Sequence, residues 1–188
     1  IKPISGDEIV STYELYKARL VRPDTVKVAF LFYQYRDSSA AERAKGAEVM
    51  KGLSARLAKG ESFDVLRLTA KDGGYAANQD PVYFERSDVF LSRFGKAFYD
   101  TVFALSDGEN SAAFENEAGW WIVRRLEYLP QKQLELSDPY RLGQAGTVQD
   151  YIGQLLAQQR ESEFLQKTFA ELFVKLRAQA EIKILGTP

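Results

Sequence analysis

Along most of the chain the spacing of apolar residues separates helices from strands. Positions 26 to 33 are apolar at nearly every residue and rich in β-branched and aromatic types, the pattern of a central strand covered on both faces. Before it, Ser5 and Glu8 stand at capping-box spacing and are followed by Ile9, Tyr13, Tyr16 and Leu20. This predicts an amphipathic helix that must stop before Pro23, because the residue preceding proline is pushed out of the α region. Ser39 and Glu42 repeat the cap, and Val49, Leu53 and Leu57 mark one face of a second helix ending near Gly60. A short helix or turn follows at 63 to 68. The turn-rich run from 71 to 81 predicts a loop, and 82 to 85 a short strand. Phe90, Phe94, Phe98 and Val102 then form an i, i+4 ladder, as in one helix or two abutting ones across 87 to 104. A turn at 106 to 108, a short strand, a turn at 116 to 119 and a strand carrying Trp120, Trp121, Ile122 and Val123 complete an antiparallel hairpin. The adjacent tryptophans must point to opposite faces of that strand.

Residues 131 to 146 are polar and contain Pro139, Gly143 and Gly146, and read as a linker. Thr147 is a candidate N-cap with Asp150 three residues on, and the segment to about 180 has no proline. One long helix, or two with a break near Gly153, is expected there. Its stripe of Leu165, Phe169, Leu172 and Leu176, widened by Phe173 and Ala180, is expected to pack within the chain, with a client-binding groove or dimer seam as the other readings. Residues 182 to 185 could form an edge strand beside Lys2 to Ile4. The organisation is therefore a helical segment at 1 to 25, an α+β domain at 26 to 130, and a linker plus C-terminal helical segment at 131 to 188 that packs with the N-terminal helix.

Composition narrows the chemistry. The 188 residues carry 25 Lys+Arg against 26 Asp+Glu, a net charge of −1 without blocks of like charge, which sets nucleic-acid binding aside. No cysteine and no histidine are present, so thiolate nucleophiles, disulfides, Cys- or His-ligated metals and the commonest general base are excluded. No apolar run is long enough for a membrane span. Neither a metal nor a cofactor is expected. Because the first residue is Ile1 rather than Met, a signal, a lipidated end or an upstream domain can have preceded it.

Several separate stretches resemble the parvulin-type (PpiC, rotamase) peptidyl-prolyl isomerase domain. The apolar run 26 to 33 fits its first strand. Gly60-Glu61-Ser62-Phe63 is similar to its Gly-x-x-Phe, residues 98 to 105 (FYDTVFAL) to its Phe-Glu-x-Ala-x-Phe-x-Leu, and 108 to 119 to its Gly-Glu-x-Ser block and closing hairpin. The flanks, 5 to 23 and 173 to 184, resemble the helices that frame the domain in SurA-like and PrsA-like foldases. The resemblance implies a parvulin-like antiparallel sheet with surrounding helices, an N-terminal helix and a long C-terminal helix. It also implies an extracytoplasmic, periplasmic-type location.

Residue by residue, the family's first-strand histidine falls on Phe30 and its final-strand histidine on Trp121. Phe98 stands on the prolyl-pocket phenylalanine and Phe94 replaces the pocket methionine. Phe30, Phe94, Phe98 and Trp121 are thus the candidate peptide-binding residues; for Phe94 and Phe98 the competing reading is ordinary helix core. Asp72 is a loose candidate for the family's loop Cys or Asp, against a solvated loop carboxylate. The resemblance leaves three functions: a chaperone or foldase domain that binds unfolded or extended polypeptide clients with isomerase activity absent or weak, an active Xaa-Pro isomerase, or a structural subunit docked on one fixed partner. Loss of both histidines favours the first.

Overall fold

The structure, a computed structural model, describes residues 2–179. Its elements run in the order α1 (Gly6–Tyr16), β1 (Val21–Arg22), β2 (Thr25–Gln34), α2 (Ala40–Ala58), α3 (Phe63–Leu68), α4 (Ala70–Gly73), β3 (Ala76–Ala77), β4 (Val82–Glu85), α5 (Asp88–Ala104), β5 (Phe114–Asn116), β6 (Gly119–Leu129), β7 (Lys132–Gln133) and α6 (Val148–Gln179). Among the described residues they divide into two compact units, one of residues 21–133 and one of residues 2–20 with 134–179.

The 21–133 unit is an antiparallel sheet with helices on both faces, the α+β architecture expected. Strand β2 lies at its centre, paired along its length with β6 and on its other edge with β4 near residues 25 to 28 and β3 near 31 and 32. The ten-residue β2 is covered on both faces for the reason its sequence suggests: Ala29, Leu31 and Tyr33 enter a core with α2, α3 and Ile122, while Val26, Val28, Phe30 and Phe32 face α5. Between β3 and β4 the ladder has a gap, filled by Asn78. Its Oδ1 accepts from Phe30 N at 2.7 Å and its Nδ2 donates to Val28 O at 3.3 Å, so the edge of β2 keeps its polar groups satisfied.

Helix starts follow the hydroxyl caps. Ser5 and Glu8 close a reciprocal capping box on α1, Ser39 accepts from Glu42 N, Ser87 accepts from Phe90 N, and Thr147 and Asp150 bond reciprocally at the start of α6. Helix α5 is broken at Gly95, whose φ of 80° only glycine adopts without strain. It is two abutting helices.

Two segments differ from the sequence expectation. The run 71 to 81 is not all loop: α3 passes directly into the short α4, which ends at Gly74 in the left-handed region with φ 74°, and β3 follows. Buried Ala70 and Tyr75 anchor it, with Tyr75 Oη donating to Leu66 O at 2.6 Å. Nor is 131 to 146 a solvated linker. β7 pairs with β1 in the 21–133 unit, and in the other unit Leu134 is buried and residues 138 to 149 are cross-braced by backbone bonds, including Val148 N to Asp138 O at 2.9 Å. Polar composition hid these backbone pairings, which require no apolar side chains.

In the second unit α1 packs on the first half of α6. Tyr13, Leu134, Val148 and Ile152 are buried together with Ile9, Leu20 and Leu156 around them, and Tyr13 Oη donates to Leu134 O at 3.0 Å. Arg160 donates to the carbonyls of Lys2 and Pro3 at 2.7 and 2.9 Å and pairs with Glu8. Helix α6 is continuous through Gly153. Its second half contradicts the expected packing: every residue from 161 to 179 is exposed, and Leu165, Phe169, Leu172, Phe173 and Leu176 touch no described core. Buried neighbours of α1 reach only the first turns of α6. Lys2 to Ile4 belong to no strand, and Ala180 and the expected strand at 182 to 185 lie outside the described residues.

Candidate functional site

The α5 face of the sheet carries a cluster of aromatic rings centred on Trp121. Register decides which rings meet. The Asn116 to Gly119 turn pairs Phe114 with Trp121, and β2 pairs Phe32 with Trp121, so three rings lie side by side across β2, β6 and β5 as directly opposed cross-strand neighbours do. The Phe32 and Trp121 rings stack with centroids 3.8 Å apart, and Phe30 meets the indole edge-on at 5.3 Å. From α5, Phe98 drives its edge onto Trp121 at 4.9 Å and touches Phe114 at 5.8 Å. Phe94 and Phe90 continue the cluster toward Phe84 of β4.

The four expected peptide-binding residues are therefore brought together, at different depths. Phe98 is fully buried and Trp121 is 6% exposed, whereas Phe30 and Phe94 are only partly covered. Phe98 and Trp121 form the floor of the cluster, and Phe30 and Phe94 its rim. The two positions where the resemblance places histidines carry rings in mutual edge-to-face contact, an arrangement that contributes about 0.5–1.5 kcal/mol beyond area burial. Asp72 is not part of this group. It lies exposed on α4, whose flanking Ala70 and Tyr75 belong to the core on the opposite face of the sheet.

The sequence reading missed Asn116, which organises the site's polar groups. Asn116 Oδ1 accepts from Ala118 N at 3.0 Å, from Gly119 N at 3.2 Å and from Trp121 Nε1 at 2.9 Å, while Nδ2 donates to Phe94 O at 3.0 Å. One amide thus closes the hairpin, satisfies the buried indole and takes up a carbonyl at the break in α5. As an asparagine in a turn it carried the signal of a turn residue, and counting back from the turn would have placed Phe114 beside Trp121. Phe32 and Asn78 depend on pairing with distant strands and gave no local signal.

The acid–base chemistry available here is sparse. The indole is a donor only, and its N–H is engaged by Asn116. Near the hairpin, Tyr35 donates to Glu115, which also pairs with Arg43; burial first, then the Glu115 carboxylate, pushes the Tyr35 hydroxyl far above its ordinary range and keeps it protonated. Among the described residues no cluster of three or more His, Cys, Asp or Glu side chains could hold a metal ion, and no helix is long and apolar enough to cross a membrane.

A central antiparallel β2–β6 pair, helices on both faces and a site between α5 and the closing hairpin define an α+β domain of parvulin type. The family model of the PPIC-type PPIase domain matches residues 4–138, and the chain belongs to this family. Chaperone SurA of Xylella fastidiosa strain 9a5c is 32% identical over 152 residues, which cover 78% of this chain and 30% of that protein. The chain thus spans about a third of the length of this curated relative. Among solved structures, SurA-like chaperones of Campylobacter jejuni align at 18% identity and a TM-score of 0.43 over 96% of this chain and 64% of the other, and PrsA of Bacillus subtilis at 15% and 0.37 over 98% and 58%. At such scores these two likenesses carry no functional weight.

Proposed function

We propose that this chain is a chaperone or foldase domain that binds unfolded or extended polypeptide segments and has little or no prolyl isomerase activity. The observation that carries the reading is the filled aromatic site: Phe30, Phe32, Phe98 and Phe114 close around Trp121, and its one polar group is spent on Asn116. Isomerisation must lower a barrier of about 18–20 kcal/mol for an ordinary amide, somewhat less before proline, by favouring the twisted bond. Apolar packing around a prolyl ring does part of this. Hydrogen-bonding groups that hold the twisted amide do the rest, and at the two histidine positions the one such group, the Trp121 N–H, is held by Asn116.

What the site offers a polypeptide is apolar and aromatic contact. A client segment would lie against the exposed edges of Phe30 and Phe94, with Phe98 and Trp121 supporting them from below. Kinship with a protein named as a chaperone supports clients of this class, and an extracytoplasmic location is part of the same proposal. The test is suppression of aggregation of a chemically denatured client by the 188-residue protein. Suppression that weakens in the Phe30→Ser, Phe94→Ser double variant supports the reading; no suppression at stoichiometric excess overturns it.

A further inference from the structure

The outer half of α6 presents an apolar stripe to solvent. Leu165, Phe169, Leu172, Phe173 and Leu176 are each between 45% and 70% exposed, and a single uncovered helix is marginal in water. The charges around this stripe are arranged symmetrically. Between 161 and 177 the helix holds Glu161, Glu163, Lys167, Glu171, Lys175 and Arg177 and no other charged residue. Each has a residue of opposite sign at the same distance on the other side of Phe169: Glu161 and Arg177 at eight residues, Glu163 and Lys175 at six, Lys167 and Glu171 at two.

We propose that this face is an antiparallel self-association surface, with a second copy of the chain packed across a two-fold axis at Phe169. On a wheel of 3.6 residues per turn, Arg177 and Glu163 fall on one flank of the stripe, Glu161 and Lys175 on the other, and Lys167 and Glu171 on the far side. The two-fold brings Arg177 beside Glu163 of the second copy and Glu161 beside Lys175 of the second copy, each offset by about 3 Å along the axis at ~1.5 Å per residue. Every flanking contact is then attractive. Glu163 already accepts from Gln159 of its own helix at 3.1 Å, a bond one carboxylate oxygen makes while the other remains available. Parallel pairing instead sets Arg177 beside Lys175 and Glu163 beside Glu161, like charge against like, so the pattern selects orientation as flanking charges do in coiled coils. At the centre Phe169 meets its own counterpart, and Leu165 stands level with Phe173.

The absence of cysteine from the chain makes the geometry directly testable. In the 188-residue chain, Phe169→Cys forms a disulfide-linked dimer on mild oxidation and Leu165→Cys alone does not, because two copies of position 165 lie about 12 Å apart along the axis, beyond disulfide reach. Leu165→Cys mixed with Phe173→Cys cross-links. Sedimentation of the unmodified protein gives a concentration-dependent dimer. Glu161→Lys with Glu163→Lys raises its dissociation constant by at least about tenfold, and adding Lys175→Glu and Arg177→Glu restores it. A monomer at every concentration, whether the stripe stays bare or another protein covers it, overturns the proposal, as does cross-linking at Leu165→Cys as readily as at Phe169→Cys.

Discussion

Trp121 is where the family pattern and the physics of this chain diverge. A buried indole in the place of a histidine brings volume and one donor, and both are absorbed: the volume by Phe32, Phe98 and Phe114, the donor by Asn116. Asn116→Ala leaves the Trp121 N–H and two turn N–H groups without their acceptor, and is expected to cost about 2 kcal/mol, read as a lowered denaturation midpoint in fluorescence-monitored unfolding. Restoring both histidines, as Phe30→His with Trp121→His, does not restore a family site. It removes the stacking of Phe32 on the indole and the edge-on contacts of Phe30 and Phe98 with it, so a loss of roughly 3 kcal/mol or more is expected, in the range of large core truncations. The chemical difference at positions 30 and 121 was legible from the sequence. The depth of each ring was not, because Phe98 of α5 and Trp121 of β6 are buried against β2, far from both in the chain.

Among the elements, caps and periodic faces were the legible part. Ser5, Ser39 and Thr147 each cap the helix that follows, and the β2 pattern fixed a central strand. The elements that escaped, α4, β3 and β7, are held chiefly by backbone bonds and a few buried residues within polar sequence. Acid should weaken the caps. The Glu8 carboxyl is held below its ordinary value by the Ser5 backbone N–H first and then the Ser5 hydroxyl and Arg160, and Asp150 likewise by Thr147. Depressed native values mean a contribution that is complete above the unfolded carboxylate range and is lost as pH falls through the native one. Thermal melts should therefore show the second unit weakening as pH drops below about 4, with Glu8→Gln flattening that dependence. In α2, Gly46 sits against the sheet where an added Cβ would come within 2.8 Å of both the Trp120 and Tyr33 rings. Gly46→Ala should cost about 1–3 kcal/mol by overpacking, measured by equilibrium denaturation.

For the whole molecule, the sequence supported the parvulin class because several of its signatures are spread over more than half of the chain, and the family match at residues 4–138 agrees. It did not reveal that the outer part of α6 would stand uncovered, since an apolar stripe looks the same whether its cover lies within the chain or outside it. The proposed function rests on an aromatic cluster in which Phe30 and Trp121 stand where the resemblance places histidines. Exchange NMR on an Xaa-Pro peptide, with the protein at catalytic concentration, tests this most directly. The account predicts cis/trans exchange at the uncatalysed rate even where the peptide's resonances broaden on binding; clear acceleration of exchange, abolished by Phe94→Ser, would contradict it.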